Sequence, residues 1–145
     1  MLKTSTISLE NFFENAFKKT KLTKDRQILL SKIAEAIAKE YSVNEVVNLN
    51  FICTHNSRRS QLGQVWSYFA ANYFNLNINA FSGGTEVTAF YRNTLKTLQK
   101  VGFEFNLTDF SHQNPTYEIS FNKRKKSILG FSKLYSNPIN IEPFM

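Results

Sequence analysis

Val46-Val47-Asn48-Leu49-Asn50-Phe51-Ile52 runs directly into Cys53-Thr54-His55-Asn56-Ser57-Arg58-Arg59-Ser60, and the reading of this stretch decides the fold. Its first half is short, β-branched and aromatic, the composition of a buried strand. Beyond it, Leu62, Val65, Trp66, Phe69, Ala70 and Tyr73 recur at three- and four-residue spacing, which predicts an amphipathic helix. A strand that turns tightly into a helix aims the helix's unpaired N–H groups and positive dipole end at the turn. Such a turn binds phosphate-like anions through backbone alone.

The side chains of the turn fit that use. Cys53, the single cysteine of the chain, stands at its mouth, where the dipole and neighbouring guanidinium groups favour the thiolate. Arg59 offers a planar fork to two oxygens of an anion and grips harder as charge grows in a transition state. The Ser60 hydroxyl is placed to hydrogen-bond the sulfur and make it a better leaving group. Asn56 suits the middle of the loop, because asparagine tolerates left-handed backbone and can tie a turn with its side chain. The backbone of Thr54, His55, Asn56, Ser57 and Arg58 would cradle the anion. The plainer alternative makes Cys53 an inert, buried small hydrophobe at a strand end. The nucleotide-binding loop of ATPases is excluded, since the glycine pair and Lys-Ser/Thr ending are absent.

Cys53, Asn56, Arg59 and Ser60 fall on the pattern Cys, any, Gly, Asn, any, any, Arg, Ser. That pattern belongs to the active-site loop of the low-molecular-weight protein tyrosine phosphatases and of the arsenate reductases that share their fold, and the chain resembles this family over residues 46 to 105. His55 stands where the glycine is usual. Ser82-Gly83-Gly84-Thr85 resembles the Ser-Ala-Gly-Thr turn that closes the family's second strand beside the loop. The resemblance implies an α/β fold with a small parallel sheet of the low-molecular-weight phosphatase type. It further implies a cysteine-dependent phosphomonoester hydrolase acting through a cysteinyl-phosphate intermediate, without a cofactor, on a phosphate monoester or phosphotyrosine protein. Cys53 would be the nucleophile and Arg59 the oxyanion clamp. The arsenate reductases imply a second chemistry, in which the first cysteine attacks arsenate and further cysteines resolve the adduct. With no second cysteine here, that route would need an external thiol such as glutathione or a redoxin. A third reading, from another class, is an oxyanion- or phosphoprotein-binding pseudophosphatase that keeps the loop and lacks the general acid.

The acid is where the resemblance thins. Family phosphatases carry an Asp-Pro pair well beyond the cysteine, whose carboxyl protonates the leaving group and then activates water. Glu142-Pro143-Phe144 superficially imitates it, yet only Ser136-Asn137-Pro138-Ile139-Asn140 precedes it, too little for the family's expected strand. The last strand and closing helix of the family are therefore expected to be missing. Glu142 and Asp109 are the two carboxylates considered for the acid, against the plainer reading of both as surface side chains.

Elsewhere, Ser8 can cap a helix with Leu9, Phe12, Phe13, Ala16 and Phe17 on its apolar face, and Thr23 another running to about Tyr41 with Leu30, Ile33, Ala34, Ile37 and Tyr41 on its stripe. Residues 1–42 thus read as a helical N-terminal extension, packing over the sheet or making a subunit contact, before an α/β domain over 43–145. Ile78-Asn79-Ala80-Phe81 reads as a second strand. Leu95, Leu98 and Val101 mark the next helix, with Gly102 as its cap. Strand, helix, strand, helix predicts a parallel sheet with right-handed crossovers. Tyr117 to Phe121 and Ser127 to Phe131 then read as a hairpin about Asn122-Lys123-Arg124-Lys125-Lys126, a solvated basic tip that could attract an acidic protein substrate.

At 145 residues the chain can close one hydrophobic core, to which fourteen Phe contribute. Its apolar runs are too short for a membrane span, and no secretory signal opens it. One cysteine sets up no disulfide framework, so a cytoplasmic location is expected. The formal charge of +7 favours anionic partners, but no base-stacking platform or nucleic-acid motif accompanies it, so nucleic acid is not expected. Cys53, His55 and His112 do not make a metal-ligand set of recognisable spacing.

Overall fold

In the computed structural model, which describes residues 8–123 and 126–145, nine elements follow one another. They are α1 (Leu9–Lys19), α2 (Lys24–Asn44), β1 (Val47–Cys53), α3 (Arg59–Tyr73), β2 (Ile78–Gly84), α4 (Arg92–Val101), β3 (Phe103–Asp109), β4 (Thr116–Phe121) and β5 (Ile128–Gly130). The class is α/β, and the strands form two separate sheets. β1 and β2 pair in parallel, from Val47 opposite Ile78 to Cys53 opposite Gly84, with α3 as the crossover. β3, β4 and β5 form a separate antiparallel sheet, in which the β4–β5 hairpin is expected from the sequence and β3 is not.

The addition is β3. Gly102 ends α4 with φ 118, a left-handed conformation that glycine adopts without a Cβ penalty, and the chain reverses straight into a strand. Phe103, Phe105 and Leu107 alternate at period two on that strand, which pairs with β4 from Phe103 opposite Phe121 to Asp109 opposite Thr116. The hairpin of β4 and β5 follows as read from the sequence, while Arg124 and Lys125 of its basic tip lie outside the described residues.

β1 is less buried than its composition suggests. Val47 alone is buried along it, and Ile52 is 54% exposed. The outer edge of β1 is met by Met145, whose N–H donates to Asn48 O at 2.9 Å and whose carbonyl accepts from Asn50 N at 3.2 Å, the two bonds a parallel neighbour makes. The outer edge of β2 is met at Gly84 by a single parallel bridge to Leu134. Among the described residues after Gly130 there is no further strand.

The core forms around α3. Val65 and Phe69 are fully buried, and the Phe69 ring lies 5.0 Å from Phe121, 5.2 Å from Phe13 and 6.2 Å from Phe103. Such aromatic pairs add about 0.5–1.5 kcal/mol beyond the area they bury. Gln61, Gln64 and Tyr68 are buried too, so α3 is enclosed on more than the face its apolar stripe marks. α1 belongs to this core: Ser8 Oγ caps it by accepting from Asn11 N at 3.2 Å, and Leu9 is 1% exposed. α2 is different. Thr23 caps it and its last turns reach the sheet, where Tyr41 Oη accepts from Asn77 N at 3.2 Å, but no residue of the helix is buried. Leu30 and Ile33, on the expected stripe, stand exposed. No described helix is long and apolar enough to cross a membrane.

Candidate active site

The loop between β1 and α3 sits at the carboxyl end of the parallel pair, the usual ligand position in open α/β sheets. Gly84 at the end of β2 lets it sit there, and Gly83 beside it makes room for the chain at Tyr135. A Cβ on Gly84 would lie 2.6 Å from Thr54 O and 2.8 Å from Asn56 N, and one on Gly83 would lie 2.2 Å from Tyr135 Cα. Both positions therefore admit no side chain without backbone movement. Gly84→Ala is expected to cost about 1–3 kcal/mol, the range for overpacking a tight site. Urea unfolding measures that cost, and phosphate binding should weaken with it because the atoms displaced belong to the loop.

The loop's carbonyls are tied outward. Cys53 O accepts from Thr85 N at 3.2 Å and Thr54 O from Glu86 N at 2.8 Å. His55 O accepts from Ser132 Oγ at 2.8 Å and Thr88 Oγ1 at 3.2 Å, and Ser57 O from Tyr91 N at 3.0 Å. The N–H groups of Asn56, Ser57 and Ser60 turn to the Cys53 sulfur, a concave arrangement of the kind that receives anions. Asn56 is the pin. It is fully buried with φ 45, its Nδ2 donates to Ser60 Oγ at 2.8 Å, and its Oδ1 accepts from Lys133 N at 3.0 Å. Its carbonyl accepts from Gln61 Nε2 at 3.0 Å.

Cys53 Sγ lies 3.0 Å from Ser60 Oγ. Because that hydroxyl already accepts from Asn56, its own proton is left for the sulfur. Partial burial pushes the Cys53 thiol up, but the Ser60 hydroxyl and the N–H groups of Ser60, Asn56 and Ser57 outweigh it, and the thiol sits below the ordinary cysteine value. Alkylation of Cys53 by iodoacetamide across pH should accordingly reach half its limiting rate below the pH typical of a free thiol. Ser60→Ala should move that midpoint upward; an unmoved midpoint would remove the hydroxyl from the account.

A cleft of about 500 Å³ opens over the sulfur, with His55, Ser57, Arg58 and Arg59 from the loop side and Thr88 and Tyr91 facing them. The Arg58 guanidinium carbon lies 5.0 Å from the centre of the Tyr91 ring, a cation–π contact. Arg59, the first residue of α3, is exposed and has no carboxylate in ion-pair contact among the described residues. His55 Nε2 lies 3.1 Å from Glu86 Oε2. The cleft's inner groups are N–H, hydroxyl and guanidinium donors, a set that receives an anion. Among the described residues no group of three His, Cys, Asp or Glu side chains could hold a metal ion.

The structure thus brings Cys53, Ser60, Arg59 and the loop from Thr54 to Arg58 together. It does not bring the two carboxylates considered for the acid. Asp109 is exposed at the far end of β3, paired with Thr116. Glu142 is exposed beside Pro143, whose carbonyl accepts from Asn48 Nδ2 at 3.3 Å, and Asn48 lies on β1 five residues before Cys53. At the rise of an extended strand that is about 17 Å. Neither lines the cleft. Thr88 and Tyr91 went unread, although both follow the glycine turn closely enough to be sought there; Ser132 and Lys133 carried no local signal. Comparison with protein-family models, with curated proteins and with solved structures finds no match to this chain.

Proposed function

We propose that the chain is a cysteine-dependent phosphomonoester hydrolase of the low-molecular-weight protein tyrosine phosphatase type. The observation that supports this most is the placement of Cys53 Sγ, with the Ser60 hydroxyl at 3.0 Å and three loop N–H groups directed at it. In this reading the thiolate attacks phosphorus, the S–P bond forms as the ester P–O bond breaks, and the alcohol or phenolate leaves with a proton. Water then attacks phosphorus, the S–P bond breaks, inorganic phosphate departs and the thiolate returns. Charge grows on the equatorial oxygens in both steps, where the inward N–H groups and Arg59 meet it. His55, held by Glu86 at the cleft, is the side chain placed to supply the leaving group's proton. Tyr91 provides an aromatic wall to the cleft that Cys53 also lines, which suits an aryl phosphate such as phosphotyrosine. The lone cysteine suits a reducing cytoplasm.

One observation favours a second reading. Since neither Asp109 nor Glu142 reaches the cleft, a reaction that needs no carboxylic acid is also served: the Cys53 thiolate displaces one arsenate oxygen as water, forming an S–As bond as an As–O bond breaks, an external thiol attacks the cysteine sulfur, arsenite leaves with the As–S electron pair, and a second external thiol attacks the mixed disulfide, releasing Cys53 and an oxidised disulfide of the two thiols. Hydrolysis of para-nitrophenyl phosphate, with mass-spectrometric trapping of a phosphorylated Cys53, decides between them. Turnover with the adduct supports the hydrolase. Arsenite release only with added thiol supports the reductase, and phosphate binding without either product leaves an oxyanion-binding module.

A further inference from the structure

Residues 17–36, which form the end of α1, the link after it and the first half of α2, are exposed without exception. Large apolar side chains stand among them: Phe17 is 77% exposed, and Leu22, Leu29, Leu30 and Ile33 lie between 39% and 48%. Interleaved with these over residues 17–33 are Lys18, Lys19, Lys21, Lys24, Arg26 and Lys32, against the single carboxylate of Asp25. Six cations and one anion leave this stretch with +5 of the chain's formal +7. None of the six is in ion-pair contact with a carboxylate among the described residues. At 3.6 residues per turn, Leu29, Leu30 and Ile33 fall within one arc of about 100° on α2. Arg26 shares that arc one turn earlier and Lys32 borders it, while Phe17 to Lys21 lead into it. Further along the same stripe, Ile37 and Tyr41 are half-buried where the helix meets the sheet, so the free surface is the part remote from it.

Apolar side chains left in water gain free energy wherever they can be buried, and uncompensated like charges at this density repel one another. One surrounding relieves both. At the interface of a bilayer with anionic headgroups, apolar side chains enter the acyl boundary while Lys and Arg bury their stems and keep their charge among the headgroups. Other occupants relieve one of the two. A second copy could cover the apolar arc, but it would set +5 against +5. Nucleic acid would neutralise the cations and leave the aliphatic side chains in water. We propose that the surface from Phe17 to Ile33 docks the protein peripherally on an anionic lipid bilayer, with α2 lying on the membrane and not across it. No residue of this surface lines the Cys53 cleft, so the docking is independent of the assignment made there.

Co-sedimentation with vesicles tests this, in phosphate buffer so that the anion-receiving loop is occupied. Wild-type protein should bind vesicles of phosphatidylcholine with about one-third phosphatidylserine about tenfold or more tightly than vesicles of phosphatidylcholine alone. Leu29→Gln combined with Ile33→Gln removes apolar contact and keeps every charge. No residue of α2 is buried, so this variant should keep its fold, which circular dichroism checks. It should bind the anionic vesicles about tenfold or more weakly, and so should Lys18→Gln combined with Lys19→Gln and Lys21→Gln. Equal binding of the wild-type protein to the two vesicles, or binding to neither, would overturn the proposal. So would undiminished binding by the Leu29 and Ile33 variant, which would make the surface a purely electrostatic one, suited to an acidic protein partner.

Discussion

Cys53→Ser should lower para-nitrophenyl phosphate turnover by on the order of 10⁴-fold or more, the scale on which removing a covalent nucleophile acts. The reason is specific to this site. Its N–H groups and the Ser60 hydroxyl bring the Cys53 thiol below the ordinary cysteine value and so favour the thiolate. A serine hydroxyl in the same place would stay protonated, and among the described residues no imidazole or carboxylate is bonded to residue 53 to take its proton. Binding should behave differently. The groups that would hold phosphate are the loop backbone and Arg59, none of which the substitution touches, and replacing a thiolate by a neutral hydroxyl removes a like charge from beneath the anion. The two readouts, turnover and calorimetric binding of inorganic phosphate, should therefore separate: the first lost, the second kept or tightened. Turnover that persists unchanged in the serine variant would return Cys53 to the status of a small buried side chain and remove the basis of the hydrolase reading.

How much of this arrangement was legible depends on how local each signal is. Cys53, Asn56, Arg59 and Ser60 lie within eight consecutive positions between a strand and a helix, and the glycine that admits the loop sits in one short turn, so sequence spacing carries them. Ser8, Thr23 and Gly102 were equally readable, since a cap is a property of a residue and its immediate neighbours. β3 was missed because its alternation begins directly after Gly102, with no turn residues between helix and strand to announce it. Gln61 and Gln64 could not be read as core. They are buried because Gln61 Nε2 reaches Asn56 O and Phe131 O, and Gln64 Nε2 reaches Ala80 O, all partners that only the fold supplies. The same holds for Lys133, which braces Asn56 from 77 positions away. The Glu-Pro pair at 142 misled for the complementary reason: a local likeness to an acid loop says nothing of where the chain lies, and here it lies along the opposite half of β1.

Arg59→Lys should reduce kcat by about 10²–10³-fold, the cost of losing one well-placed oxyanion donor. Two arginines line the cleft, and their surroundings distinguish them. The Arg58 guanidinium is engaged over the Tyr91 ring at 5.0 Å, whereas Arg59 opens α3 with no carboxylate in ion-pair contact among the described residues. Arg59 therefore has its whole fork available to an anion. Lysine keeps the charge and the same helix terminus, so Coulomb attraction and dipole repulsion are nearly unchanged between the variants. What disappears is the pair of parallel N–H donors that matches two oxygens of a planar or tetrahedral oxyanion. Those contacts tighten as charge shifts onto the equatorial oxygens, so kcat should fall much more than phosphate affinity. Arg58→Lys, which loosens the stack on Tyr91 without removing the fork that grips the anion, should cost less and show mainly in KM for aryl substrates. Steady-state kinetics on para-nitrophenyl phosphate for both variants, beside calorimetric phosphate binding, reads this contrast directly. A larger kcat loss in Arg58→Lys than in Arg59→Lys would transfer the clamp to Arg58, and equal losses in kcat and phosphate affinity at Arg59 would make it a ground-state anchor with no added grip in the transition state.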